Sequence, residues 1–185
     1  MKDAKVIELE EVAIRFSGDS GDGMQLVGKK FSDSIAGAGL DLNTFPDFPS
    51  EIRAPEGTLY GVSAFQIRLG SKNIKTSGDE IDVLIAMNAS SLKVNLPSLK
   101  KNGIIIANTS GFDGRNLRLA EYEVSPLDDD SLKGYKLMAI DMDTVIKAEL
   151  KDTSISPKVM RKSKNFFALG MVYWLFDQDL HSTVS

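Results

Sequence analysis

The chain contains no cysteine, and only one histidine and one tryptophan among 185 residues. Without thiols it holds no disulfide, no thiolate nucleophile and no thiolate-ligated iron–sulfur cluster. The lone imidazole, His181, lies close to the C-terminus, where solvation is expected; one histidine cannot build a His-based metal site, and it is given no role. Positive charge is not in excess either. There are 22 Lys and Arg against 26 Asp and Glu, and the basic residues are scattered, which excludes a nucleic-acid footprint. Apolar runs are only a handful of residues long, too short to span a membrane. Met1 is followed by Lys-Asp-Ala-Lys and then Glu-rich sequence, unlike a signal peptide. The expectation is a soluble, cytoplasmic protein.

What remains is ordinary globular material, 42% hydrophobic and 26% charged, enough for one sizeable domain. We read residues 1–10 as an N-terminal extension, 11–177 as the domain and 178–185 as a tail, consistent with the stub of a linker. No internal repeat or low-complexity segment is present.

Residues 17–28, Ser-Gly-Asp-Ser-Gly-Asp-Gly-Met-Gln-Leu-Val-Gly, are the most informative stretch. They join a short strand, with Val12, Ile14 and Phe16 on one side, to an amphipathic helix. A strand, a glycine-rich turn and a helix N-terminus together suit phosphate or carboxylate. Gly21-Asp22-Gly23 begins like a dinucleotide fingerprint, but Leu26 stands where its third glycine belongs, and no Gly-Lys-Ser/Thr follows to make a P-loop. Asp19 and Asp22 would repel phosphate unless turned away. The spacing leaves two readings open: a ligand site, or a tight βα turn with Asp22 capping the helix.

The helix is expected to bury Met24, Val27, Phe31, Ile35 and Ala38, to expose Gln25, Lys29, Lys30 and Asp33, and to stop at Gly39. Asp41–Phe45 reads as a short strand. Gly61–Leu69 alternates, with Gln66 and Arg68 on a half-wet face. Val83–Met87 and Gly103–Ala107 read as buried parallel strands, Tyr135–Ile140 as another strand. Ser90–Leu99 and Asp143–Leu150 read as helices. This alternation predicts an α/β fold: a three-layer, Rossmann-like domain with a mostly parallel sheet. Ligands of such sheets bind beyond the strands' carboxyl ends, here Ser17, Asn88, Asn108-Thr109-Ser110 and Asp141. Most of these are neutral groups, suited to orienting a ligand; Asp141 reads as a helix cap. No acid–base pair is evident.

Phe45 to Gly57 carries Pro46, Pro49 and Pro55 and is expected to run stiff and extended, as an interface or site. Phe45 and Phe48 are candidate anchors for a partner and Arg53 is its fixed cation; the alternative folds both rings back onto their own core. Asp128-Asp129-Asp130 reads as a solvated loop. Phe166–Phe176 reads as a helix apolar nearly all round, needing cover from another domain or subunit.

Phe16-Ser17-Gly18-Asp19-Ser20-Gly21-Asp22-Gly23, then Phe48-Pro49-Ser50-Glu51-Ile52-Arg53-Ala54-Pro55-Glu56-Gly57, then Lys164-Asn165-Phe166-Phe167-Ala168-Leu169-Gly170 occur in this order. Together they resemble the gamma-type domain of 2-oxoacid:ferredoxin oxidoreductases, in the form that opens 2-oxoglutarate-type alpha subunits. The resemblance implies a domain that helps bind coenzyme A, a co-substrate, and docks onto thiamine diphosphate-binding alpha and beta domains. It implies no cofactor bound by this chain alone. Thiamine diphosphate, Mg and the iron–sulfur clusters are expected in partner domains, with ferredoxin reached through the complex and the chain part of an oligomer. The carry-over matches Gly18, Gly21 and Gly23 to the family's glycine loop and Glu51 with Arg53 to its Glu-x-Arg element. With Ser20 of the turn and Asn88 of the strand ends, Gly18, Gly21, Gly23 and Arg53 are candidates for coenzyme A or another anion, and Phe48, Glu51 and Arg53 are candidates for the interface, with no catalytic residue or metal ligand assigned. Many gamma domains have Arg-Gly-Gly where this chain has Arg53-Ala54-Pro55. Fused relatives continue into a thiamine-site domain, so the chain is expected to be a fragment or a separate subunit, inactive alone. The alternatives are a non-catalytic scaffold domain and an independent nucleotide-binding Rossmann enzyme.

Overall fold

A computed structural model describes residues 9–51, 53–71 and 73–178. The first eight residues, Ile52 of the proline-rich motif, and His181 with the rest of the tail from residue 179 lie outside it. Six strands form one sheet: β1 (Glu11–Asp19), β2 (Asp41–Asp47), β3 (Val62–Gly70), β4 (Ile81–Ala86), β5 (Leu99–Asn108) and β6 (Lys136–Ile140). Their order is β2-β3-β1-β4-β5-β6, and only β3 runs against the others. The helices are α1 (Met24–Gly37), α2 (Ala89–Asn95), α3 (Gly114–Leu119), α4 (Met142–Leu150), α5 (Pro157–Lys162) and α6 (Lys164–Leu175).

The expected three layers are present. α1, α4 and α6 cover one face of the sheet, sharing a core with Ile14, Phe16, Val83 and Ile85. α2 and α3 cover the other, over Ala13, Leu84 and Ile105. β4, between β1 and β5, carries the consecutive buried apolar run Val83–Ala86 that a central parallel strand requires, and β1 is buried over Val12–Ile14 and Phe16–Gly18 with Arg15 between them partly exposed. α1 buries Met24, Val27, Phe31 and Ile35 at helical spacing. Gly28 lies on the same stripe because the helix rides directly over the Phe65 ring, which a Cβ there would strike. The Phe31 ring meets Phe16 edge-on at 6.1 Å and Tyr173 of α6 at 5.4 Å, each such pair adding about 0.5–1.5 kcal/mol beyond burial.

Several expectations are corrected. Ala38 is exposed, because it forms the C-cap rather than the last buried turn. Gln25 does not face solvent: its Nε2 donates to Ala64 O at 2.8 Å and to Asp47 O and Ser63 Oγ at 3.2 Å, pinning α1 to the ends of β2 and β3. Gln66 is buried rather than half-wet. Its Nε2 donates to Ser77 O and Gly78 O, both at 2.7 Å, and its Oε1 accepts from Arg15, so the buried amide is satisfied. The helix expected over Ser90–Leu99 ends at Asn95, since Pro97 lacks the N–H to continue it, and Leu99 already belongs to β5. On the edge strand β2, Pro46 lies opposite Phe65. The Asp128–Asp130 run is exposed, as expected, with Asp129 capping a short 3-10 turn.

Candidate functional site

The chain leaves β1 toward β2 and β3 but leaves β4 toward β5 and β6, so adjacent strands β1 and β4 mark the point where the sheet's winding reverses. Crevices open at the carboxyl ends of strands at such points. One of about 350 Å³ does so here. Its floor is Asp19 from β1, Met87 and Asn88 after β4, and Asn108 closing β5; Arg115, Lys162 and Lys164 stand in its walls with the acids Asp22, Glu56 and Asp143.

The glycine turn is tied down by its own carboxylates. Asp22 Oδ2 accepts from the Asp19 amide at 2.9 Å, and Asp22 Oδ1 pairs with Lys164 Nζ at 3.2 Å. Asp22 therefore does not cap α1, contrary to the turn reading above: Gly23 is the N-cap and no side chain caps the helix. Asp19 accepts the Gly57 amide with both oxygens, at 3.0 and 3.1 Å. Burial raises its pKa, against the lowering effect of the Gly57 bond, with Asp22 adding a smaller upward push and Asn88 a smaller downward one. Asn88 caps α2, accepting from the Ser91 amide at 2.8 Å.

The structure distributes the candidate residues unevenly. Gly21 and Asn88 line the crevice. Gly18 is buried beneath it, against Asp22 and Met87, and Ser20 is exposed outside it. Gly23 lies under the Asn165 side chain. Phe48, Glu51 and Arg53 belong to the proline-rich segment, away from the lining. Of the other strand-end residues, Ser17 is buried and accepts from Asn95 Nδ2 at 2.7 Å. Asn108 accepts the Met142 amide at 3.1 Å, and Asp141 does cap α4, accepting from Thr144 N at 2.9 Å. The Ser110 hydroxyl, then the Thr144 amide and hydroxyl, hold the Asp141 carboxyl down to about 2.

The proline-rich segment is not extended beyond β2. It folds into turns, with Ala54 N donating to Glu51 O, Thr58 N to Pro55 O and Glu51 N to Tyr60 O, because these bonds outweigh the stiffness of isolated prolines. Its far end is gripped by both backbone groups of one residue: Asp19 takes the Gly57 N–H, and Ser90 Oγ donates to Gly57 O. The two rings do not fold back onto the core. Phe48 is 67% exposed and Phe45 is also open to solvent, while Arg53 sits at φ 71° on the outside. α6 turns Phe166 and Trp174 outward, the latter 68% exposed. Arg115 and Lys162 were not singled out from sequence, and Lys164 only as part of a motif. They come from elements far along the chain, and only the fold brings them to β1.

Among the described residues no group of three His, Asp or Glu is placed to hold a metal ion, and no helix is long and apolar enough to cross a membrane. With no cysteine in the chain, its residues do not fit a thiolate-held cluster.

Comparison with known proteins gives a consistent result. The chain is 44% identical, over 93% of its length, to the 2-oxoglutarate oxidoreductase subunit KorA of Mycobacterium tuberculosis, of which it covers 26%. It superposes with a TM-score of 0.71 and 26% identity on a 2-oxoglutarate:ferredoxin oxidoreductase from Magnetococcus marinus, solved with 2-oxoglutarate, coenzyme A and succinyl-CoA bound. That match covers 95% of this chain and 26% of the other. The gamma subunit of a keto/oxoacid ferredoxin oxidoreductase from Geobacter sulfurreducens shares the fold, with a TM-score of 0.63 at 16% identity, over 93% of this chain and 82% of that one. The chain thus spans about a quarter of the curated relative and most of a free-standing gamma subunit. The description of the pyruvate ferredoxin/flavodoxin oxidoreductase family matches residues 13–184, and the chain belongs to that family.

Proposed function

We propose that this chain is the gamma-type domain or subunit of a 2-oxoacid:ferredoxin oxidoreductase acting on 2-oxoglutarate, and that it helps hold coenzyme A while docking onto thiamine diphosphate domains. The observation that carries the reading is the crevice at the winding reversal, in a chain 44% identical to a 2-oxoglutarate oxidoreductase subunit. Its chemistry suits a phosphorylated ligand with hydrogen-bonding arms. Arg115 and Lys162 have no ion pair among the described residues, and Lys164 stands beside them, so three cations line one hollow. A guanidinium presents two parallel donors to phosphate, and charge-assisted bonds of this kind contribute about 1.5–3 kcal/mol. Asn88, Asn108 and Ser110 offer neutral polar atoms along the floor and Gly21 bare backbone. Gly18, Ser20 and Gly23 act by shaping the turn. The chain orients coenzyme A and excludes competing poses. Bringing its thiol to an acyl donor held elsewhere in the complex is catalysis by proximity.

Phe48, Glu51 and Arg53, with Phe45 beside them, form the docking face for the thiamine-bearing domains, and the outward rings of α6 a second apolar contact. This reading assigns thiamine diphosphate, Mg and the iron–sulfur clusters to the partner domains, through which electrons pass to ferredoxin; the chain, without cysteine, offers no thiolate for a cluster. The test is steady-state kinetics on the assembled oxidoreductase. Arg115→Glu with Lys162→Glu is expected to raise KM for coenzyme A at least tenfold, and Arg53→Ala to weaken assembly in size-exclusion chromatography. A thermal-shift response of the chain to NAD but not to coenzyme A, with that KM and the assembly both unmoved, would overturn the reading in favour of an independent nucleotide enzyme.

A further inference from the structure

α1 begins with an unmet need. Its N-cap is Gly23, at φ 77°, which has no side chain, and among the described residues no other side chain accepts from the first-turn amides. Asp22 next to it is fully used, by the Asp19 amide and by Lys164. Helix starts ordinarily recruit a side-chain oxygen for these donors. Directly above stands a second unmet need. Asn165, the second residue of α6, is 5% exposed, and its Oδ1 is buried without a partner among the described residues. Buried polar atoms in native folds are satisfied, and an exception calls for a reason. The Asn165 amide nitrogen lies so close to Gly23 that a Cβ at that position would collide with it. The side-chain amide of asparagine is close to symmetric in shape, so a half turn about its last rotatable bond exchanges nitrogen and oxygen without disturbing the packing. After that half turn the orphaned acceptor stands where the amide nitrogen stood, against Gly23 at the start of α1.

We propose that Asn165 is a positioning residue of the glycine turn: its side-chain carbonyl caps α1 across the fold, and together with Lys164 on Asp22 it makes the start of α6 the clamp that fixes the turn. The two helices are locked again further along, where Tyr173 meets Phe31. Gly23 is then required for two reasons, since any other residue would adopt φ 77° with strain and would displace the cap. Because Asp19, Gly21, Asp22 and Lys164 all line the crevice, the clamp sets the crevice's shape as well as the helix start. That last consequence rests on the function proposed above; the capping does not.

NMR on the 185-residue chain tests the capping directly. In the unaltered protein a through-hydrogen-bond coupling is expected between a first-turn amide nitrogen of α1 and the Asn165 side-chain carbonyl carbon; its absence overturns the cap. Asn165→Leu keeps the volume and removes the acceptor, whereas Asn165→Asp keeps the acceptor. Amide exchange at Met24, Gln25 and Leu26 is expected to quicken about tenfold in Asn165→Leu and to stay at the original rate in Asn165→Asp, with the β5 and β6 amides unmoved. Equal quickening throughout the sheet, or none at the three amides, sinks the proposal. In the assembled oxidoreductase, Asn165→Leu should raise KM for coenzyme A by more than it lowers kcat, with Asn165→Asp restoring it. A lost cap with unchanged KM overturns the link to the crevice if Arg115→Glu with Lys162→Glu still raises that KM, and the functional reading itself if that double variant leaves it unmoved; the cap stands in either case.

Discussion

The two ends of the sheet carry hollows of similar size and opposite character. At the amino ends of β1 and β4 a depression of about 440 Å³ lies among Glu11, Ala13, Arg68, Asp82 and Lys100. Its cations are spent. Arg68 pairs with Glu11, and Lys100 pairs with Asp82 at 2.8 Å, while Asp82 also accepts the Ala13 amide at 2.8 Å. At the carboxyl ends the somewhat smaller crevice keeps Arg115 and Lys162 without ion-pair partners among the described residues. Volume alone would favour the amino end; the state of the cations is what favours the carboxyl end as the site in the function proposed above.

Charge reversal should separate the two ends most sharply. Arg115→Glu with Lys162→Glu is expected to raise KM for coenzyme A in the assembled enzyme by about ten- to a hundredfold, at roughly 1.4 kcal/mol per factor of ten. Lys100→Glu at the far end should leave that KM unaltered, and a matching rise there would erase the distinction. Next in size is Asp82→Ala, which strands the buried Ala13 amide and should lower stability by about 1–3 kcal/mol in urea unfolding, with no change in ligand affinity. Asp141→Ala removes the cap of α4 and should cost about 1 kcal/mol. Since the folded carboxyl titrates near 2, below its unfolded value of about 4, its contribution is present above the unfolded value and is lost as pH falls through about 2. Acid unfolding of the two proteins should therefore converge at the lowest pH.

The smallest effect has the opposite sign. Burial raises Asp19 above its unfolded value, so its ionised form weakens the fold at neutral pH, and that penalty is relieved as pH falls through the folded pKa toward the unfolded one. Asp19→Asn keeps an acceptor for Gly57 and is expected to raise Tm slightly at pH 7, by an amount that shrinks toward pH 4. A Tm difference that grows on acidification would contradict this.

How much of this was legible beforehand differs by the range of the cause. Met24, Val27, Phe31 and Ile35 announced α1 because a helical stripe is a local pattern, and Val83–Met87 announced a central strand for the same reason. Gln66 misled because alternation marks a residue as polar without showing whether carbonyls such as those of Ser77 and Gly78 will meet it indoors. The proline-rich segment misled because its turns are closed by Tyr60 and by Asp19, neither within it. The strand ends pointed to the side of the sheet where the crevice opens, and Asn88 lines it. The crevice's cations were invisible, since Arg115, Lys162 and Lys164 share no spacing with β1 and meet it only through the layering of α3, α5 and α6.

Pro46 on the edge strand has a consequence for how such domains are joined. An outermost strand normally offers a ladder of free N–H and C=O groups on which another chain can template itself. Here the ladder lacks an N–H near its C-terminal end, and the exposed rings of Phe45 and Phe48 stand beside the gap. A neighbour meeting this border would be steered away from extending the sheet there and toward gripping side chains, so recognition would depend on shape and residue identity more than on backbone that any polypeptide could supply.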